Sequence, residues 1–400
     1  MTAPRRSTRL AFAGTAYLLV VLLIGSNMPT ALYSRYREVF GFSPVVQTVI
    51  FAVYVVGLIP SLLVFGPLSD RVGRRPVLAT SVLVGALATV VLMLAPGTAV
   101  LAIGRLLQGV AVGAITAAGA AALLDYEPHR DPSRAAVTAT LTTAAGAAFG
   151  PLFAASIAEY LPYPLTLPYV VYLIVLAPAV VTLMAMPNNP GGHGGALIQM
   201  PRVPASIRAT FWRCSLACAV AWGAIGLFQS VGPSWISGLL GTDNLVIASS
   251  AAALSLLAAA LAQIVSTRFA AARSQTIGLV TLAVGMVGLF VVNAVPSLAL
   301  LLAVAVTTGV GHGFAFAGSM RELNAAAFTH APRAQGAVIA AMFTVGYLGL
   351  AVPSLIAGAA ATLQGMSAAI FETAAVGVVL CAALVVVGVR AEMGSAPVTT

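Results

Sequence analysis

Charge is what this sequence lacks. Only 7% of its 400 residues are Asp, Glu, Lys or Arg, where a soluble domain carries about a quarter. A wetted surface of ordinary polarity is excluded. Lysine is absent, so all 19 basic residues are arginine, a uniformity that codon bias accounts for. Cysteine is scarce as well: Cys214, Cys218 and Cys381, each inside an apolar run. Cys214 and Cys218 fall on one helix face with no His or acid beside them, so small packing residues are expected rather than a metal site. Clustered acids or histidines near one interface, which an intramembrane enzyme needs, are also missing. Glycines 309, 311 and 313 lie in an apolar run with no strand before them, which argues against nucleotide binding.

What fills the chain is apolar sequence. Hydrophobic residues make up 60% and the mean hydropathy is +1.02. Runs of about 20 apolar residues, the span of a bilayer core, recur from end to end. They are too long for tilted barrel strands and do not alternate strictly, so the spans are helices. Twelve are expected, at 10–32, 46–66, 76–95, 98–124, 135–157, 165–186, 211–236, 245–266, 275–293, 297–319, 335–358 and 367–389. The first follows Arg5, Arg6 and Arg9 but exceeds the apolar core of a removable signal. The fold class is therefore an all-α polytopic membrane protein.

Arginine placement orients the chain. Basic residues follow every even-numbered span: Arg71, Arg74 and Arg75; Arg130 and Arg134; Arg202, Arg208 and Arg213; Arg268 and Arg273; Arg321 and Arg333; Arg390. The opposite loops hold only Arg35 and Arg37. Both termini are thus expected in the cytoplasm, in a multi-pass protein of the inner (cytoplasmic) membrane. The net charge of +9 sits in short turns with no basic stripe interleaved with aromatics, so nucleic-acid binding is not expected. Breakers at 187–195 open a linker, 187–210, between six spans in 1–186 and six in 211–400. His193 in that linker reads as a solvated loop histidine. Two six-helix bundles suggest a parallel repeat around a midplane cavity.

The densest polar stretch is Gly66-Pro67-Leu68-Ser69-Asp70-Arg71-Val72-Gly73-Arg74-Arg75-Pro76. It reads as a tight polar hairpin between two spans, with Gly66 permitting close helix approach and Gly73 a tight turn. Arginines alone would fix topology, which leaves Asp70 and the glycines to be explained. The hairpin resembles motif A of the major facilitator superfamily. The six-plus-six layout extends that resemblance over the whole chain and implies a secondary transporter working by alternating access. The resemblance further implies a latch, with Asp70 paired to arginine beside the N-terminus of the eleventh helix, near Gln335 and Gly336.

Two more stretches carry the resemblance. Leu101–Gly109, with Arg105 and Gln108, resembles motif B. Its arginine lies deeper in a span than any other cation here and implies proton transfer or substrate binding. The alternative is an arginine that snorkels. Gly146–Ala155, with Gly146, Gly150 and Pro151, resembles the antiporter motif C, although Ala154 and Ala155 stand where glycines are frequent. Plain helix packing is the alternative for this stretch.

Remaining polar groups in the spans are few. Asn27 interrupts the first span where drug-exporting relatives often place an acid; it either meets substrate or satisfies backbone near Pro29. His312 is a candidate titrating group or a ring bonded to a neighbouring helix. Glu372 lies about a turn and a half into the twelfth span, near the external interface. Trp222, Gln229 and Gln263 are candidate cavity residues, while Tyr54, Phe228, Trp235, Phe316 and Tyr347 face ligand, lipid or core. Arg321 and Glu322 are expected to pair locally in a loop. Asp125, Glu127, Arg130, Asp131 and Arg134 are expected to be solvated loop charges. The expected function is proton-coupled efflux of small molecules by a monomer of the drug:proton antiporter branch, with a proton gradient and no cofactor or metal. An uptake symporter for a sugar or organic acid is the alternative.

Overall fold

The computed structural model describes residues 5–187 and 202–395. Of the predicted linker, residues 188–201, including His193, lie outside the described residues. Within them the chain is helical, with no strand. In order the helices are α1 (Arg5–Phe40), α2 (Pro44–Val72), α3 (Arg74–Met93), α4 (Thr98–Asp125), α5 (Pro132–Tyr160), α6 (Leu167–Leu176) and α7 (Pro178–Ala185). They continue with α8 (Arg208–Ser230), α9 (Gly232–Leu240), α10 (Leu245–Ser266), α11 (Ala271–Ala294), α12 (Leu298–His330), α13 (Gln335–Gln364) and α14 (Met366–Ser395).

Twelve helical stretches are long and apolar enough to cross a membrane, as expected. Several outrun their predicted ends, because a helix satisfies its own backbone and need not stop where the apolar run does. The first span continues through Pro29 to Phe40, and the tenth reaches His330 rather than 319. The sixth is broken into α6 and α7 just before Pro178, whose ring nitrogen has no proton to donate.

Residues 1–200 and 241–253 form one compact unit, and 201–240 and 254–400 the other; α10 divides between them. In the first unit α4 packs against α1, α2, α3 and α5, and α1 lies along α5. In the second, α12 packs on α11 and α8, and α14 on α11, α13 and α8.

The two units share one packing register. A Cβ added at Gly109 or Gly113 of α4 would come within 2.0 Å of the Tyr54 carbonyl oxygen and 2.7 Å of that of Leu58 on α2. On α12, Gly309 and Gly313 meet the Ser255 and Ala259 carbonyls of α10 at 2.1 and 2.3 Å. The glycines are 200 positions apart in each case (309 − 109, 313 − 113), and the carbonyls 201 (255 − 54, 259 − 58). Close backbone approach through small residues is how helices associate where the surroundings are as apolar as they are. Buried hydroxyls such as Thr15, Ser81, Thr89 and Ser354 bond carbonyls one turn back, so they leave no orphan in the core.

Candidate functional site

The deepest polar group is built on a proline. Pro29 has no N–H, so the Gly25 carbonyl of α1 loses its helical donor. Gln108 Nε2 of α4 supplies one at 2.8 Å. Arg105 Nη1 donates to the next carbonyl, Ser26, at 2.7 Å and to Gln108 Oε1 at 2.7 Å. The guanidinium carbon lies 4.6 Å from the Tyr54 ring centroid and 5.9 Å from that of Phe51, which spreads its charge over two π faces. Arg105 is only 3% exposed, which rules out snorkelling in this state. Among the described residues no carboxylate pairs with it. Its Nε and the Tyr33 hydroxyl are buried without partners. A buried cation held only by carbonyls, an amide and rings is suited to receive an anion or another acceptor.

Asn27 bonds within its own helix. Its Nδ2 donates to Leu23 O at 2.9 Å and to Ser26 Oγ at 3.1 Å, all within α1. Tyr36 and Tyr169 share a hydroxyl–hydroxyl bond of 2.9 Å. With Tyr33 and Tyr172 they form a set of fully buried tyrosines in this unit. Sequence alone does not single them out, because Tyr36 of α1 meets Tyr169 of α6 across 133 residues.

The Gly66–Arg75 stretch differs from the predicted hairpin. Helix α2 runs through Gly66 to Val72, and α3 starts at Arg74, so one residue makes the turn. That residue, Gly73, has φ +93°, a conformation L side chains rarely adopt. Gly66 does not serve a close approach: a Cβ there would meet only Ala117, at 3.9 Å. Arg74 is the hub. It donates to Asp70, to Ser69 Oγ at 2.7 Å and, through Nε, to Asp125 at 2.9 Å across 51 residues of sequence. Arg71 and Arg75 make no ion pair among the described residues. Asp125, expected to be a solvated charge, ties α4 to this turn. Burial and the neighbouring Asp125 push the Tyr126 hydroxyl up from its ordinary range, against the pull of Arg74 and Arg75.

Glu127 is a second correction. Its side chain is fully buried. Oε2 accepts from the His129 and Asp131 amides at 2.7 and 2.8 Å, and Arg134 lies 3.4 Å from Oε1. Asp131 caps α5 by accepting from the Ser133 and Arg134 amides. A loop residue that holds two amides is structural, not solvated.

Gly146 and Gly150 form a seam. A Cβ at Gly146 would stand 2.4 Å from Val20 O, and one at Gly150 2.6 Å from Ile24 O. Helix α5 thus lies backbone against backbone on α1, with Pro151 buried inside α5 beside Ala154 and Ala155.

In the second unit His312 is buried, with Nδ1 3.0 Å from Ala221 O. A carbonyl only accepts, so the contact places a proton on Nδ1. Around it gather Trp222, Phe316, Phe343 and Tyr347. Trp222 stands edge-on to Tyr347 at 4.4 Å, and His312 stacks on Phe316 at 6.1 Å. Trp222 Nε1 is buried without a partner. Gln229 is buried, whereas Glu372 is exposed on α14 and touches none of these.

Arg321 and Glu322 do not pair with each other, because both sit on α12. Arg321 donates to Phe269 O and Ser266 O at 2.9 Å each, closing the end of α10. Glu322 takes Arg213 of α8, which also donates to Gln275. At the end of α10 an arginine thus caps carbonyls, where at the end of α2 an acid and an arginine pair.

Comparison with known proteins places this geometry. Residues 10–354 match the family model of the Major Facilitator Superfamily. Two uncharacterized MFS-type transporters of Mycobacterium tuberculosis, strains CDC 1551 / Oshkosh and ATCC 25618 / H37Rv, are each 30% identical over 176 residues. Each match covers 43% of this chain and 25% of the relative, so the chain aligns to about a quarter of their length. Among solved structures, an inward-facing, unoccupied bacterial homolog of the human lysosomal transporter Spinster superposes with TM-score 0.73. It is 16% identical and covers 99% of this chain and 100% of its own. The nucleoside transporter NupG, as a mutant, gives TM-score 0.76 at 12% identity, covering 95% and 99%. Identities this low bear on fold alone. With the family match spanning residues 10–354 and twelve candidate spans among the described residues, the chain belongs to the Major Facilitator Superfamily.

Proposed function

We propose that this transporter exports small amphipathic or cationic molecules in exchange for protons, as a monomer in the cytoplasmic membrane with both termini inside. The observation that carries export is the α1–α5 seam at Gly146, Gly150 and Pro151, which resembles the antiporter motif. The mechanism is alternating access between two six-helix bundles, residues 1–186 and 211–400, joined by 187–210. Arg105 and Gln108 are the candidates for coupling and substrate contact in the first bundle; Asn27, bonded within α1, is the weaker one. In the second, His312 is the buried candidate, its ring bonded to the Ala221 carbonyl, and Trp222, Phe316, Phe343 and Tyr347 offer aromatic faces to a ligand. Glu372, exposed on α14, has the least support.

Everted vesicles test the exchange. Adding substrate to acid-loaded vesicles is expected to alkalinise the lumen; no response across a broad compound panel would sink the reading. A second reading is import of an organic acid with protons. It is favoured by Arg105, a buried cation without a carboxylate, and it predicts anionic substrates moving in with protons.

Asp70 is the proposed latch acid. Its pair with Arg74 is half exposed, and Arg74 keeps Asp125 when Asp70 is lost. Asp70→Asn is therefore expected to change stability by less than about 1 kcal/mol. Turnover is expected to fall about ten-fold, the effect of a state bias of about 1.4 kcal/mol. Wild-type turnover in the inserted variant refutes the latch.

A further inference from the structure

A cavity of ≈ 350 Å³ opens where α1 meets the loop between α4 and α5, lined by Arg9, Phe12, Ala13, Pro128, His129 and Arg134. Its size falls in the range of small-molecule sites. Nothing in the transport reading uses it. Its walls come from helices that pack together, since α1 lies along α5. Its position is set by the membrane: the apolar stretch of α1 begins at Thr8 and that of α5 at Pro132. The cavity therefore lies at the level where the chain passes from water into lipid.

The loop that shapes it is held in place. Glu127, fully buried, clamps the amides of His129 and Asp131. Arg130 takes a φ of +56° between them. This clamp sets His129 and Arg134 against the first turns of α1. Arg134 lies 3.4 Å from Glu127 Oε1, and its guanidinium stands 5.9 Å from the Phe12 ring. The acids nearby are already engaged, Glu127 with the loop amides and Arg134, Asp131 with the first amides of α5. Arg9 makes no ion pair among the described residues. The cavity thus presents cationic groups over an apolar floor of Phe12, Ala13 and Pro128. Leu10 of α1 and Val137 of α5 are exposed apolar side chains on the same two helices.

We propose that this cavity holds the phosphate headgroup of an anionic phospholipid, with Arg9, His129 and Arg134 on the phosphate and Phe12, Leu10 and Val137 against the glycerol and acyl chains. A small soluble anion has the charge but no use for the apolar floor. A zwitterionic lipid has the chains but offsets its own phosphate with an ammonium. Basic pockets between spanning helices at the membrane surface select anionic headgroups on this chemistry.

Native mass spectrometry of the full chain tests it, after release from nanodiscs containing equal phosphatidylglycerol and phosphatidylcholine. Retained phosphatidylglycerol is expected to outnumber phosphatidylcholine. Arg9→Gln, at an exposed position, is expected to cut that retention about five-fold, the effect of one arginine near the surface. His129→Ala reports on the cavity a second way and is expected to lower retention too. Arg390→Gln, an exposed arginine of the second unit, is the control for general surface charge and is expected to lower retention less than Arg9→Gln. Equal retention of the two lipids, or equal loss in Arg9→Gln and the control, overturns the proposal. Inorganic phosphate supplied without lipid is the remaining arm. If it stabilises the protein in an Arg9-dependent way with no preference among lipids, the site belongs to a soluble anion and the lipid assignment fails.

Discussion

Gly146→Val is expected to cost the protein its fold. The new Cβ alone would stand 2.4 Å from the Val20 carbonyl oxygen and 2.7 Å from the Leu23 Cβ, before the two methyl groups are added. No side-chain rotation relieves a clash with backbone, so α1 and α5 must separate. Separation strips the seam of its packing, and that packing, with interhelical hydrogen bonds, is what joins helices in lipid. Overpacking a tight core costs about 1–3 kcal/mol, and a backbone seam has less slack than a core of side chains. Gly146→Ala is expected to lower the melting temperature and Gly146→Val to remove the monodisperse peak in size-exclusion chromatography. Gly66→Ala is the contrast. Its Cβ meets only Ala117 at 3.9 Å, and alanine is about 1 kcal/mol better than glycine inside a helix. That variant should be neutral or stabilised. Equal damage from Gly146→Ala and Gly66→Ala would refute the seam.

Arg105→Ala is expected to abolish transport, but the structure gives that loss two possible routes, and they can be separated. Removing the guanidinium takes a charged donor from Ser26 O and leaves Gln108 Oε1 without its donor, at about 1–3 kcal/mol for a buried group left unpaired. Arg105→Ala is thus expected to lower both stability and turnover. Arg105→Gln puts a neutral amide donor in place of the guanidinium and removes the charge. If Arg105 serves transport through its charge, Arg105→Gln melts within a few degrees of wild type and loses at least about 99% of turnover, some 2.7 kcal/mol of lost function. If Arg105 only braces α1 at Ser26 and holds Gln108 against Gly25 O, Arg105→Gln transports. Thermal melts and vesicle transport on the same preparations decide it.

Much of the architecture was legible before any coordinates. Bilayer thickness acts on each span independently, so apolar length alone marked twelve of them. Proline and glycine act on their own backbone, so Pro29, Pro151 and Gly73 could be read where they stood. The depth of Arg105 in its span was legible on the same grounds.

Partners were not legible, because packing brings together what the chain keeps apart. Arg213 finds Glu322 across 109 residues, while Arg321, the neighbour of Glu322, turns to the end of α10 instead. On a helix, adjacent residues point about 100° apart, so adjacency in sequence argued for the wrong pair. Glu127 looked like a solvated loop charge because nothing local says that two amides will fold over its carboxylate. Gly66 and Gly146 were equivalent letters in two motifs; only the neighbouring helix decides which of them has no room for a methyl group. Residue order alone gave away the class, the spans and the turn at Gly73. The tertiary structure alone decided which charges are neutralised and which glycines are obligatory, since both depend on the atoms of another helix a few ångströms away.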